Sequence, residues 1–264
     1  MSAIDSALEA LEDCPAVPAE DARPPAARKG DLHAHREKHR LRFRKRGALC
    51  FIGHQDLLKA WQRLFRRTAL PLRVTEGFHP RPALSSPLAL GLGIEGLDEV
   101  LEFELTEPVP DAEVERRIAA QLDPGMELAS LERLPRRASA CAVAVEYRFP
   151  VPADRATDVD ARLAAALAAA TLPIERRMPD KPTKRLDLRP YLESAARADG
   201  AVVFRLAVRP QGTARPEEIL ELLGLRPLLD QGLRLVRTRV ELASSPMPDA
   251  GAQAPAAPLE GTAS

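Results

Sequence analysis

Arg40-Leu-Arg-Phe-Arg alternates strictly between cationic and apolar side chains, and soon afterwards Leu57, Leu58, Trp61, Leu64 and Phe65 fall on one face of a helical wheel. The first spacing is that of a strand with one buried face, the second that of an amphipathic helix. A change of period over so short a stretch calls for a strand that feeds a helix packed back onto it. Lys45-Arg46-Gly47 marks a turn, Gly53 opens a helix over about 54–68, and Pro71 ends it. Lys59, Arg63, Arg66 and Arg67 occupy the face of that helix opposite the apolar stripe.

The same alternation of periods continues. An extended, proline-punctuated stretch runs from Leu72 to Leu90, and glycines at 91, 93 and 96 precede a strand over about 99–105. A helix follows over 111–121, with Asp111 as its N-cap after Pro110, and then a strand over 126–134. The second half repeats the order more faintly. Val143, Val145, Tyr147 and Phe149 alternate as a strand, 158–170 is an alanine-rich helix, and a strand is expected near 172–177. Residues 184–192 are mixed, 201–208 alternate, Pro216 to Leu223 is a helix ended by Gly224, and a last strand covers about 233–242. The expectation is an α+β chain of two tandem ferredoxin-like (βαββαβ) sandwiches, over 40–137 and 138–243. A disordered arm over 1–39 and a disordered tail over 244–264 flank them, since both have too few large apolar groups to offset chain entropy.

Lys plus Arg and Asp plus Glu are both 38, so the net charge says nothing about partners. Its distribution says more: 13 Lys and Arg lie between Arg36 and Arg81, and nine acidic residues with no basic one lie between Glu95 and Glu115. Cys14, Cys50 and Cys141 are far apart and form no CxxC, which points away from a disulfide framework or an iron–sulfur site. The start has no secretory pattern and the run from Leu163 to Leu172 is too short to span a bilayer, so a soluble chain in the reducing cytoplasm, without a membrane role, is expected. No metal site and no cofactor is expected, since His33, His35 and His39 fall in the arm.

Four groups of residues invite a chemical reading. His54 opens the first helix beside Asp56 and is the candidate general base, or else a packed structural histidine. In Gly77-Phe-His-Pro-Arg-Pro, the prolines stiffen a loop in which His79 and Arg81 project to one side, about 7 Å apart at their backbones, suited to phosphate or carboxylate. The plainer reading makes Phe78 a core plug. Together with Lys59, Arg63, Arg66 and Arg67 these two form a candidate nucleic-acid or anion site, against the alternative of a solvated helix face. Lys184, Asp187 and Arg189 are second-half candidates in a charged group where Asp187 either ties down arginines or faces a ligand. The open sheet face would carry Arg40, Arg42 and Arg44 against Glu102 and Glu104, so it is expected to pair internally or meet the second unit, and not to act as a stacking surface for RNA. Gly91-Leu-Gly-Ile-Glu-Gly is loop glycine and not a dinucleotide fingerprint.

Gly47-Ala-Leu-Cys-Phe-Ile-Gly-His-Gln-Asp-Leu-Leu, Leu64-Phe-Arg-Arg-Thr-Ala-Leu-Pro-Leu and Glu76-Gly-Phe-His-Pro-Arg-Pro occur in that order. Further on stand Ser86-Pro-Leu-Ala-Leu-Gly, Leu122-Asp-Pro-Gly-Met and Lys184-Arg-Leu-Asp-Leu-Arg. With these motifs the chain resembles the radical-SAM-linked family, a domain often joined to the C-terminal end of cobalamin-binding radical SAM proteins. It departs from that pattern at Gly53, where the family more often has Ser, and at His79, where it more often has Asn. The resemblance implies a non-catalytic accessory module that binds a separate radical SAM protein, an RNA substrate, or both. Two alternatives stand beside it: a metal-independent endoribonuclease with His54 as base and Arg81 or a helix arginine on the phosphate, and a structural protein that self-associates through its basic and acidic segments.

Overall fold

Why β1 (Glu37–Lys45) is a strand is written in its burial: His39, Leu41, Phe43 and Lys45 are buried, while Arg40, Arg42 and Arg44 face the other side. The computed structural model describes residues 36–76, 78–178, 181–210 and 212–243, so the expected arm before residue 36 and tail from 244 lie outside the described residues. The boundary drawn at residue 39 is corrected, because the strand begins at Glu37. His39 is buried, stacks on Phe103 at 5.3 Å between ring centroids, and meets Asp111 Oδ1 through Nε2 at 3.2 Å. The alternation extends beyond Leu41 and Phe43 through His39 and Lys45, polar residues at core-facing positions.

After a turn of 3₁₀ helix at Gly47–Phe51, α1 (His54–Arg67) lays Leu57, Trp61, Leu64 and Phe65 onto that buried face. Each such side chain contributes about 1.5–3 kcal/mol of burial. The helix ends where the Thr68 hydroxyl turns back to the Phe65 carbonyl at 2.7 Å and Ala69 takes a positive φ of 51° ahead of Pro71. β3 (Glu95–Leu105) runs antiparallel to β1 on one side, and β4 (Met126–Leu134), reached through α2 (Asp111–Ala119), on the other. Asp111 is not the N-cap of α2; Pro110 is. Its carboxylate is spent on Arg133 and His39, whose hydrogen bonds hold it below the usual carboxylate range.

The outer edge of β3 is built in an unusual way. Leu72 bridges to Leu105, and β2 (Leu84–Ser85) pairs with Phe103 and Glu102. Between them the chain leaves the sheet as a hairpin arm, held by a Val74–Pro82 bridge, by Thr75 N to Arg81 O at 2.8 Å and by Ala83 N to Arg73 O at 2.9 Å.

The second half lays down β5 (Ala142–Pro150), α3 (Ala156–Ala168), β6 (Pro173–Met178), β7 (Lys181–Asp187), β8 (Leu192–Ala198), β9 (Ala201–Arg209), β10 (Gly212–Thr213), α4 (Pro216–Leu222), α5 (Pro227–Asp230) and β11 (Val236–Leu242). The strand expected near 172–177 exists, but as β6 it pairs only with β7 in a separate ribbon. The strand beside β9 is β8, which sequence patterning missed. Its Leu-Glu-Ser-Ala-Ala-Arg-Ala buries only Leu192 and Ala195 and has neither strong strand propensity nor alternation. The ribbon therefore leaves the main path between first helix and edge strand, as the arm does in the first half.

All other described strands form one large, mostly antiparallel sheet in the order β10-β9-β5-β11-β3-β1-β4, with β2 also on β3 and β8 also on β9. Helices cover it over two apolar cores, one around Trp61, Phe65 and Phe103, the other around Phe149, Phe204 and Leu220. The cores meet at a short seam where β11 pairs parallel to β3 only through Val236 with Glu95 and Arg237 with Gly96. Side chains complete it. Arg237, 1% exposed, donates through Nε to Glu99 Oε1 at 2.8 Å, through Nη2 to Glu99 Oε2, and through Nη1 to the Ala89 carbonyl at 3.0 Å. A Cβ on Gly96 would stand 2.5 Å from Glu99 Cγ, so glycine is what lets the carboxylate fold across to Arg237. Asp98 then accepts from the Val240 amide at 3.2 Å, replacing a missing strand bond.

Removing one member of a buried ion pair strands its partner's charge. Arg237→Met is expected to lower unfolding stability by about 3–5 kcal/mol in urea titrations, and Arg237→Met combined with Glu99→Leu to recover at least half of that loss.

Candidate functional site

The open sheet face is covered by ion pairs. Arg40 donates to Glu102 at 2.8 Å and to Glu132 at 3.1 Å, Arg42 meets Asp98 at 2.5 Å and Arg44 meets Glu127 at 2.9 Å. Arg42 also reaches the Val240 carbonyl at 3.2 Å, so this face both pairs internally and meets the second half. Glu104 does not join the lattice as expected; it sits 3.6 Å from Arg73 and 3.9 Å from Arg36. Burial alone would raise the Glu102 carboxyl, but Lys38, 2.9 Å away, and the hydrogen bonds from Arg40 hold it below its ordinary value. In the second half Arg205 bridges Glu193 and Glu241 in the same manner.

These pairs consume the charge asymmetry seen in the sequence. The basic strand β1 lies beside the acidic strand β3, and of the acidic residues between Glu95 and Glu115 all but Glu107 and Glu115 have a hydrogen-bonding or ionic partner within the chain. An acidic patch free to receive the basic segment of another copy is thus largely absent among the described residues.

Other cations are left without a partner among the described residues. Arg63 and Arg66 on the outer face of α1, and His79 and Arg81 on the arm, are exposed and make no side-chain hydrogen bond or ion pair with any described residue. Lys59 is paired with Asp56 at 2.9 Å, and Arg67 is tied to the Gln121 side chain and carbonyl, both at 3.0 Å. The C-terminal half of α1 and the arm's base, where Leu72 bridges to Leu105, belong to one end of the first core, because α1 returns toward the start of β1, which pairs with the end of β3. Phe78, at the arm's turn, is fully exposed. It is not a core plug.

His54 does not join this surface. It stands nine and 12 residues before Arg63 and Arg66, roughly 14 and 18 Å along the helix axis. It neighbours the buried polar group of Lys45, Glu99 and Arg237 under the first turn of α1. Burial lowers the imidazole pKa, and the charges of Arg237 and Lys45 lower it further against the opposing pull of Glu99. Lys45 is buried with its ammonium on the Ile52 carbonyl at 2.9 Å, and burial likewise lowers its pKa. Burial raises the pKa of the Tyr147 phenol, against the opposing pull of Arg237. A cavity of about 450 Å³ lined by Leu88, Leu90, Tyr147, Ala214 and Arg237 opens beside this group, and a second of about 940 Å³ separates β6 from α4. Arginine has five N–H donors, and Arg237 makes four hydrogen bonds, two to Glu99 and one each to the carbonyls of Leu88 and Ala89. The cluster locks β11 to β3. Sequence reasoning passed over Lys45, Glu99 and Arg237, although each is a charge at a core-facing position of a strand, which is the signal that marks them.

Among the second-half candidates, Asp187 accepts from the amides of Leu172 at 2.6 Å and Arg189 at 2.9 Å, which holds it below the usual carboxylate range. It ties down backbone at the root of the β6–β7 ribbon, not arginine side chains. Arg189 donates to the Leu192 carbonyl at 2.9 Å, while Lys184 is exposed and unpaired among the described residues. These three do not form one site. Among the described residues no three His, Cys, Asp or Glu side chains gather as metal ligands, and no helix is long and apolar enough to cross a membrane.

The span from β1 to the first residue of α4 carries the arm, α1 and the ion-paired face. Residues 38–216 match a family described as an uncharacterized protein conserved in bacteria (DUF2344). The chain belongs to this DUF2344 family. The DUF2344 match takes in Glu99 but ends before Arg237. No curated protein matches the chain. The crystal structure of an unknown protein from Galdieria sulphuraria is similar over 80% of this chain and 100% of its own, at 12% identity and a TM-score of 0.23, a likeness too slight to carry an argument.

The lowered pKa of His54 has a defined sign. In the unfolded chain the imidazole takes up a proton near pH 6.5; folded, it does so only at lower pH, so acidification through that range favours unfolding. Between about pH 7.5 and about pH 5.5, the urea midpoint should fall more for the unaltered chain than for His54→Gln. Equal slopes would show that His54 titrates as a solvent-exposed imidazole.

Proposed function

We propose that this DUF2344 chain is a non-catalytic accessory module that binds RNA through the arm and the outer face of α1, and that a separate radical SAM protein supplies the chemistry. The observation that carries the RNA reading is the set of exposed side chains Arg63, Arg66, His79 and Arg81, unpaired among the described residues, in a fold whose open sheet face is neutralised by ion pairs. Exposed cations that make no ion pair attract a phosphate backbone through counterion release, and Glu76 is the one carboxylate described on the arm. The radical SAM partner rests on the family resemblance of the motifs around Gly47 to Gly91. A reducing, cytoplasmic setting goes with it, and with the free thiols of Cys50 and Cys141.

The scaffold in this reading is a pair of ferredoxin-like units over 40–137 and 138–243. The strand orders β4-β1-β3-β2 and β11-β5-β9-β8, antiparallel throughout, support it. So does the hairpin inserted at the same place in each half. The separation of His54 from Arg63 and Arg66 leaves no observation that favours an endoribonuclease.

Fluorescence anisotropy with a labelled RNA stem-loop tests the binding. Replacing Arg63, Arg66 and Arg81 together with Gln should weaken affinity at least about tenfold at low salt and reduce the slope of log K against log salt by about 2–3. Equal binding by the variant, or none by the unaltered chain, contradicts the proposal. Co-purification of a radical SAM protein at low salt is expected on the second count, and its absence removes that part.

A further inference from the structure

We infer that Phe78 is a stacking platform for an unpaired base, so that the module takes single-stranded RNA in preference to duplex. This rests on the RNA-binding reading above and names its substrate class. Phe78 is fully exposed, the most exposed of the large hydrophobic side chains among the described residues. No described residue covers it, although an aromatic ring of this size gains most from burial. It is not on a loose loop. The arm beneath it is closed by Val74–Pro82, by Thr75 N to Arg81 O at 2.8 Å and by Arg81 N to Thr75 Oγ1 at 3.2 Å. Pro80 and Pro82 further restrict the backbone on the C-terminal side.

The neighbours of the ring fix the chemistry of what it meets. His79 and Arg81 follow it on the same arm, exposed and without ionic partners among the described residues. An apolar protein partner would gain nothing from these groups, whereas a nucleotide offers a π-face to the ring and a phosphate to the cation within one repeat. Single-strand-binding proteins combine aromatic platforms with a cationic track in this way. A duplex hides its base faces and offers phosphates only, so the arginines would bind it but Phe78 would add little. The fold places this platform away from the sheet, whose open face in this chain is occupied by the pairs of Arg40, Arg42 and Arg44.

The experiment compares a labelled oligouridine with a blunt RNA duplex of the same length, by anisotropy, for the unaltered chain, Phe78→Ala, Phe78→Trp and Arg63→Gln/Arg66→Gln. The side chain is fully exposed, so neither substitution at 78 threatens the core. Phe78→Ala should weaken oligouridine binding about 5- to 100-fold, Phe78→Trp should retain it, and duplex binding should change less than about twofold. If Phe78→Ala leaves oligouridine affinity unchanged while Arg63→Gln/Arg66→Gln weakens it, the stacking inference is overturned and the RNA reading stands. If the unaltered chain binds neither probe, both fall. Loss of a co-purifying protein in Phe78→Ala, with RNA affinity intact, would make the ring a protein anchor and overturn the inference.

Discussion

The pairing of a basic strand with an acidic one organises this molecule. β1 carries Arg40, Arg42 and Arg44 on its open side, β3 and β4 answer with Asp98, Glu102, Glu127 and Glu132, and the register of the sheet sets them opposite or diagonal to one another. Each exposed pair adds at most about 1 kcal/mol, but together they decide register: a shift of one residue would turn these charges into the core. The same pairs cancel a field that the sequence alone suggests is strong. Among the cations left without a partner in the described residues are Arg63 and Arg66 on the outer face of α1 and Arg81 on the arm; Arg46, Arg136, Arg137, Lys184, Arg226 and Arg239 are others, elsewhere on the surface.

Joining the halves poses a different problem. β11 and β3 exchange few main-chain bonds, so the seam depends on Arg237 reaching Glu99 and the carbonyls of Ala89 and Leu88 in a site nearly closed to water. Such a pair contributes little net stability against an apolar alternative, yet it tolerates only one geometry. It therefore fixes the orientation of one half on the other. His54 and Lys45 gather around the same pair, and burial lowers the pKa of both, so the imidazole that opens α1 takes up a proton less readily than a free one.

Much of this was legible in the residues. The alternation of Leu41 and Phe43, the stripe from Leu57 to Phe65, the strand over 126–134 and the stop at Gly224 all reappear, because in each case local period, capping and burial agree. The internal pairing of Arg40 with Glu102 was also readable, since both lie at open-face parity. β8 was not legible: an alanine-rich edge strand draws its stability from β9 and not from its own pattern. Nor was the role of Asp187, which lies in bonds to two backbone amides that sequence cannot display. Phe78 misled in the opposite direction, since apolar character says core until coordinates show an arm that carries it outward.

Ultraviolet cross-linking of bound oligouridine followed by peptide mapping examines most directly whether the arm and α1 are the surface that function uses. Adducts on the segment from Arg63 to Arg81, with Phe78 foremost, are the predicted result. Adducts confined to the open face around Arg40 to Arg44 would contradict it, because the carboxylates that neutralise those arginines would then have to give way to phosphate.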